Sequence, residues 1–289
     1  MLEYLIRGYS RSHFYLCIGL QPKFNLQILK LLGCCLEFEH LALIYDFCGT
    51  DLLSDILHDE YDCRRSLSWT SRLRIASEIA SVIAYLHNAF PTPIIFRDIK
   101  PKNVIIDQHG VAKLFGFSLS ISLPPGKLQV EDDVIGTLGY LDPAYFFSNI
   151  VTQKIDVYSF GMLLLQLLTG RKLLGEDYST TIFEFLNFCI DTAELDGLVD
   201  PKILGEGGGV EQMEQIQAYL HLALRYVLHD IPFIVDVAKQ LRKIERYPHQ
   251  LPPLGSTWNT ICSLIRAQRP WSPSRLQSNP SISSPTLYV

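Results

Sequence analysis

Asp98, Lys100 and Asn103 stand close together in the stretch Phe96-Arg97-Asp98-Ile99-Lys100-Pro101-Lys102-Asn103. A carboxylate can accept the proton of a hydroxyl. An ammonium can stabilise charge on a phosphate, and an amide oxygen can ligate a divalent cation. Phosphoryl transfer requires these three services at one point. An Arg-Asp dipeptide alone reads as a solvated turn. The spacing of all three groups on one short loop is what makes them converge.

The elements that must position this loop can be read from periodicity. Residues 94–106 are rich in Ile and Val around a polar centre, which predicts two short strands flanking the loop. Ile75, Ile79, Val82, Ile83 and Leu86 fall on one face, so residues 72–90 are expected to be helical. Upstream, the apolar runs Ile28 to Leu32 and Leu41 to Phe47 predict paired strands, separated by Leu36-Glu37-Phe38-Glu39-His40. Helices are expected over Asp156 to Leu168, Met213 to Val227 and Ile234 to Tyr247, with Asp156 near the positive end of its helix. Gly205-Glu206-Gly207-Gly208-Gly209 is flanked by helical patterns, so it reads as a surface loop and not as a phosphate cradle. After Tyr247 the chain turns rich in Pro and Ser, and its only charged residues are Arg266, Arg269 and Arg275. Such a segment buries too little apolar surface to offset its ordering entropy, so residues 248–289 are expected to be disordered.

Composition narrows the function classes. The 289 residues are 48% hydrophobic and 19% charged with a net charge of −5, ordinary for a globular protein and without the basic face of a nucleic-acid binder. The seven cysteines include no C-x-x-C pair, which argues for reduced thiols and against a zinc site or a disulfide framework. The N-terminus reads as neither a secretory signal nor a myristoylation site. The longest apolar run, Phe160 to Leu168, falls short of the ~20 residues of a membrane span. G-x-S-x-G, H-E-x-x-H and G-x-x-x-x-G-K-[ST] are all absent.

The stretch Phe96 to Asn103 resembles the catalytic loop of protein kinases, H-R-D-x-x-x-x-N. Gly136-Thr137-Leu138-Gly139-Tyr140-Leu141-Asp142-Pro143 resembles the end of a plant receptor-kinase activation segment, and Asp156-Val157-Tyr158-Ser159-Phe160-Gly161 the start of the long large-lobe helix. Leu31-Leu32-Gly33-Cys34-Cys35-Leu36-Glu37 is similar to the fourth small-lobe strand, and Leu43-Ile44-Tyr45-Asp46-Phe47 to the fifth strand and hinge. The resemblance spans about residues 26–247. Within the family, the phrases at 31–39 and 117–124 resemble most the ZED-related receptor-like cytoplasmic kinases of plants. The resemblance implies an α+β, kinase-like fold with a mostly helical large lobe (48–247), an incomplete β small lobe (1–47) and the tail (248–289). Several members of that group are pseudokinases that act as adaptors between modified kinases and an intracellular immune receptor. The implied partners are therefore proteins, other kinases or such a receptor. The implied location is the cytoplasm or the inner face of the plasma membrane.

Departures from the pattern decide what activity to expect. Where the family has D-F-G, this chain reads Gly116-Phe117-Ser118, so the metal-binding carboxylate is missing. Before Leu31 the only glycines are Gly8 and Gly19, and no strand carries the phosphate-binding Lys; Lys23 and Lys30 lie in the wrong context. No acidic residue between Glu3 and Glu37 could pair with such a Lys, and the first three small-lobe strands are expected to be missing. Phe96 replaces the catalytic-loop His and is expected to pack on Phe117. Ala144 and Ile231 replace a Glu and an Arg that form a buried ion pair in the family, so Ala144→Glu alone is expected to destabilise the fold. By resemblance Arg97 would meet a phosphate on the activation segment, and Glu131, Asp132 or Asp133 could pair with it instead. Asp156 is expected to accept backbone hydrogen bonds from the loop. Asp98, Lys100 and Asn103 read as a vestigial catalytic loop with Arg97, Gly116, Phe117, Ser118 and Thr137 around it. The expectation is a pseudokinase adaptor with no resident metal and no cofactor, Mg-ATP entering only if activity is retained. The alternatives are an active serine/threonine kinase and an N-terminally truncated, non-functional gene product.

Overall fold

The computed structural model describes residues 27–35, 42–46, 51–58, 66–173, 197–204, 209–228, 233–247, 250 and 286–288. In chain order the strands are β1 (Leu31–Cys35), β2 (Ala42–Tyr45), β3 (Ile94–Ile95), β4 (Val104–Ile106), β5 (Ala112–Leu114), β6 (Ile121–Ser122), β7 (Gln129–Glu131), β8 (Ile135–Thr137), β9 (Ile150–Thr152) and β10 (Thr286–Tyr288). The helices are α1 (Leu53–His58), α2 (Trp69–Asn88), α3 (Pro143–Ser148), α4 (Lys154–Thr169), α5 (Pro201–Leu204), α6 (Val210–Leu228) and α7 (Ile234–Arg246). Short 3-10 turns cover Pro101–Asn103 and Phe117–Leu119.

The helical half is organised by burial. Every residue of α4 from Ile155 to Thr169 is buried, the state expected of a helix apolar on all sides. It packs against α6, and α2 packs against α7. Contact between α4 and α6 is close at Gly161, where a Cβ would stand 2.8 Å from a Val227 methyl carbon. α2 opens on Ser68, whose hydroxyl accepts the Ser71 N–H at 3.1 Å. It buries Leu73, Ala76, Ile79, Ala80, Ile83 and Leu86, wider than the predicted stripe but centred on it. No described helix is long and apolar enough to cross a membrane.

The described strands form five separate pairs. β1 and β2 run antiparallel with Leu31 opposite Tyr45 and Cys35 opposite Ala42. The expected strand over Ile28–Leu32 is divided between two partners. Ile28 bridges Leu114, the Leu29 N–H donates to the Leu114 carbonyl at 3.0 Å, and the Leu114 N–H donates to the Gln27 carbonyl at 2.8 Å. Ile28, Leu29 and Leu31 are all buried, so this run lacks the alternation that would point to one partner. β4 and β5 form the antiparallel hairpin after the loop, and β3 pairs with β6 before it. The Gly-rich run at 205–208 and residue 231 lie outside the described residues. Most of 248–289 does too, yet Thr286–Tyr288, inside the segment expected to be disordered, forms a strand parallel to Ile135–Thr137. Thr and Tyr are strand-favouring types, unlike the Pro and Ser of the stretch before them.

One buried ion pair ties the helices together. Arg72 Nη2 donates to Asp200 Oδ2 at 2.5 Å, while its Nη1 and Nε donate to the carbonyls of Leu167 and Leu67 at 2.8 and 3.0 Å. Arg72 is 1% exposed and Asp200 5%. Gly170, at φ +66°, closes α4 in the left-handed conformation, and a Cβ there would collide with the Asp200 carboxylate. Removing one member of such a pair leaves a buried charge unmatched. Asp200→Ala is therefore expected to cost about 3–5 kcal/mol in chemical denaturation, whereas a loss below about 1 kcal/mol would show that the pair does not hold α2 to α4.

Candidate functional site

The loop of interest runs from β3 to β4, and α4 holds it from beneath. Asp156, in the first turn of α4 and 0% exposed, accepts the Phe96 N–H on Oδ2 and the Arg97 N–H on Oδ1, each at 2.8 Å. His87, near the end of α2, shares a third hydrogen bond with Oδ2 at 2.8 Å. Arg97 adopts φ +69°, a left-handed conformation that costs a non-glycine residue roughly 1–3 kcal/mol. The bonds to Asp156 keep it there. His87 carries no signal in the sequence that would have joined it to this site.

The turn then brings Asp98, Lys100, Asn103 and Thr137 into one closed network. Thr137 Oγ1 donates to Asp98 Oδ1 at 2.6 Å. Lys100 Nζ lies 2.6 Å from Thr137 Oγ1 and 2.9 Å from Asp98 Oδ2. Asn103 Nδ2 donates to Asp98 Oδ2 at 2.8 Å and to the Asp98 carbonyl at 2.7 Å. Both carboxylate oxygens are thus engaged, and Asp98 is 7% exposed. The spacing relates the three loop residues to one another; Thr137, set around the loop by the resemblance, reaches them from β8.

Gly116 closes the site from the other side. It takes φ +83° after β5, and a Cβ built there would stand 3.2 Å from Asn103 Oδ1. The position that faces the Asn103 amide therefore carries no side chain. Phe117 begins the turn that follows, and its ring meets that of Phe96 edge-on with centroids 4.9 Å apart. Ser118 is half-buried in the same turn.

Arg97 reaches across to the segment between β7 and α3. Nη1 donates to Asp132 Oδ2 at 2.6 Å, and Nη2 donates to the Asp133 carbonyl at 2.7 Å and to the Tyr145 hydroxyl at 2.6 Å. Tyr145 in turn donates to the Asp133 carbonyl at 2.7 Å and accepts the Ile135 N–H at 3.2 Å. Of the three acids expected near Arg97, Asp132 pairs through its carboxylate and Asp133 through its backbone. The Glu131 side chain is exposed. Tyr145 is the residue that sequence reading missed, since an aromatic in a short helix looks like ordinary core.

Asp142 caps α3, its Oδ1 accepting the Ala144 N–H at 2.9 Å. Burial raises the Asp142 carboxyl above the usual 3.8, against the lowering effects of that hydrogen bond and of Lys154. Ala144 itself is exposed, so a carboxylate placed there would face water at a helix start. That exposure argues against the expected destabilisation by Ala144→Glu, whose counterpart position 231 lies outside the described residues.

Three outcomes follow from this geometry. Ala144→Glu should change stability by no more than about 0.5 kcal/mol in thermal melts, as for an ordinary surface substitution. Tyr145→Phe leaves an Arg97 N–H and the Ile135 N–H without their acceptor, so it should cost about 1–3 kcal/mol. It should also speed hydrogen exchange across 132–136; unchanged exchange would remove Tyr145 from this role. For Asp142, a folded pKa raised above the unfolded value means that its contribution is most favourable below the unfolded pKa and is lost as pH rises through the folded one. Asp142→Asn keeps the capping oxygen without the charge. Its melting temperature relative to the parent should be highest at neutral pH, should fall as pH drops through the raised folded pKa toward 3.8, and should level off below that.

Residues 20–196 match the family described as the protein kinase domain. Over 252 residues the chain is 35% identical to the non-functional pseudokinase ZED1 of Arabidopsis thaliana, covering 83% of this chain and 75% of that protein. It is 38% identical over 228 residues to the serine/threonine-protein kinase ZRK1 of the same plant, covering 75% of this chain and 64% of that one. Over 232 residues it is 36% identical to wall-associated receptor kinase 3, also of Arabidopsis thaliana, covering 77% of this chain but only 30% of the receptor. With the loop, the segment after it and the supporting helix in the family's order, this chain belongs to the protein kinase family.

Proposed function

We propose that this chain is a protein kinase homologue that does not transfer phosphate and works instead by binding other proteins, as an adaptor in plant intracellular signalling. The observation that carries the reading is Gly116 opposite Asn103: the position that would supply a metal-binding carboxylate has no side chain. Mg²⁺ binds through hard oxygen ligands, chiefly carboxylates and phosphates. The remaining carboxylate, Asp98, already receives hydrogen bonds from Thr137 and Asn103 and an ion pair from Lys100. These residues do not fit a metal-bound nucleotide. A metal that neutralises phosphate charge supplies several kcal/mol, and each ~1.4 kcal/mol lost is about tenfold in rate.

The relative named as a non-functional pseudokinase supports the same reading. Other kinases and an intracellular immune receptor are the proposed partners, by the resemblance to the ZED-related group, in the cytoplasm or at the inner face of the plasma membrane. The second reading is an active serine/threonine kinase. It draws on the convergence of Asp98, Lys100 and Asn103 and on the relative named as a serine/threonine-protein kinase.

Calorimetric titration of the folded chain with Mg-ATP separates the two. The expected outcome is a cooperative melt and no saturable binding up to about 1 mM nucleotide. Micromolar binding together with phosphate transfer to a generic substrate would overturn the proposal in favour of the active kinase. A chain that fails to melt cooperatively would point to a non-functional product.

A further inference from the structure

We propose that the edge of β8, Ile135–Thr137, is a docking surface for an extended peptide, and that Thr286–Tyr288 of this same chain is its occupant. The pairing is parallel, with Thr286 opposite Ile135, Leu287 opposite Gly136 and Tyr288 opposite Thr137. Among the described residues β8 has no other strand neighbour.

One side of β8 is firmly bedded. The Ile135 N–H donates to the Tyr145 hydroxyl, Thr137 Oγ1 donates to Asp98, and a Cβ at Gly136 would stand 2.7 Å from Leu141 Cδ2. A strand fixed in this way offers its free edge as a template for another, and backbone hydrogen bonds are the currency of that recognition. The occupant suits it. Thr, Leu and Tyr carry no charge, and Thr and Tyr are among the types enriched in strands. Parallel strands require a long crossover, which the intervening chain supplies.

A three-residue strand is too short to hold by itself. Tethering changes that, because attachment to the same chain presents the segment at an effective concentration on the order of mM. The contact is therefore populated and still easy to displace, the property of a cover rather than of a structural strand. What it covers is the segment whose Thr137 bonds both Asp98 and Lys100. Any external peptide that pairs with β8 must first displace the chain's own segment. The inference is independent of whether the chain transfers phosphate.

Leu287→Pro combined with Tyr288→Pro in the full chain tests it, since the N–H groups of two consecutive strand residues point to opposite sides, so one of the two must face β8, and both lie far from the helical core in sequence. Hydrogen exchange across residues 135–137 is expected to be at least about fivefold faster in the variant, with exchange in Lys154–Thr169 unchanged. A fluorescent peptide with the sequence of residues 281–289 is expected to bind the variant about tenfold more tightly than the parent, whose own segment competes. Equal exchange in the two chains, equal peptide affinity for both, or no peptide binding to either would overturn the proposal.

Discussion

Asp156 accepts the N–H groups of Phe96 and Arg97 on its two carboxylate oxygens and takes a third hydrogen bond from His87, all without exposure to water. A buried carboxylate is tolerable only when donors satisfy it. Here two of the donors are consecutive peptide groups of the loop, so satisfying the charge also sets the loop's path. The left-handed Arg97 follows from that path, and its guanidinium is turned toward Asp132, Asp133 and Tyr145. The same turn presents Asp98, Lys100 and Asn103 to Thr137. Both halves of the site hang from one residue at the start of α4.

The two halves have different chemical standing. Around Arg97 the contacts run between the loop and the segment at 132–145, and they hold that segment with the chain's own groups. Asp132 retains partial exposure, so the buried Tyr145 hydroxyl and the Asp133 carbonyl matter more than the ion pair for keeping Arg97 in place. Around Asp98 the hydrogen bonds close on themselves, and the position from which a further carboxylate would enter is Gly116. A site of this kind keeps the architecture of the loop while lacking an acid beside Asn103. That combination is the ground of the non-catalytic role proposed above.

The helical core is compatible with such a role. α4 is buried along nearly its whole length, and Arg72 with Asp200 fixes α2 beside it. None of those interactions involves Asp98, Lys100 or Asn103. The loop can therefore change its chemistry without loss of the support beneath it, which is the condition for a kinase fold to persist as a binding protein.

Much of this was legible in the sequence. The stripe on α2, the apolar length of α4, the strands around the loop and the triplet Asp98, Lys100 and Asn103 all depend on local periodicity or short spacing, which a chain carries within itself. The absence of a side chain at Gly116 is likewise a fact of sequence. Some pairings between distant segments were legible only through the resemblance, as for Phe96 with Phe117, Arg97 with Asp132 and Asp156 with the loop, and others were not legible at all. Ile28 went to Leu114 because two adjacent buried residues, Ile28 and Leu29, break the alternation that would choose one neighbour. Tyr145 met Arg97, His87 met Asp156 and Thr286–Tyr288 met β8 because the fold brings far-separated segments to one place. Ala144 stands where the family has a buried Glu and is exposed here, since burial depends on the packing of every neighbouring element. The sequence by itself determined which groups are available and which are missing; the tertiary structure decided which of them meet, because hydrogen bonds and burial act over distance in space and not along the chain.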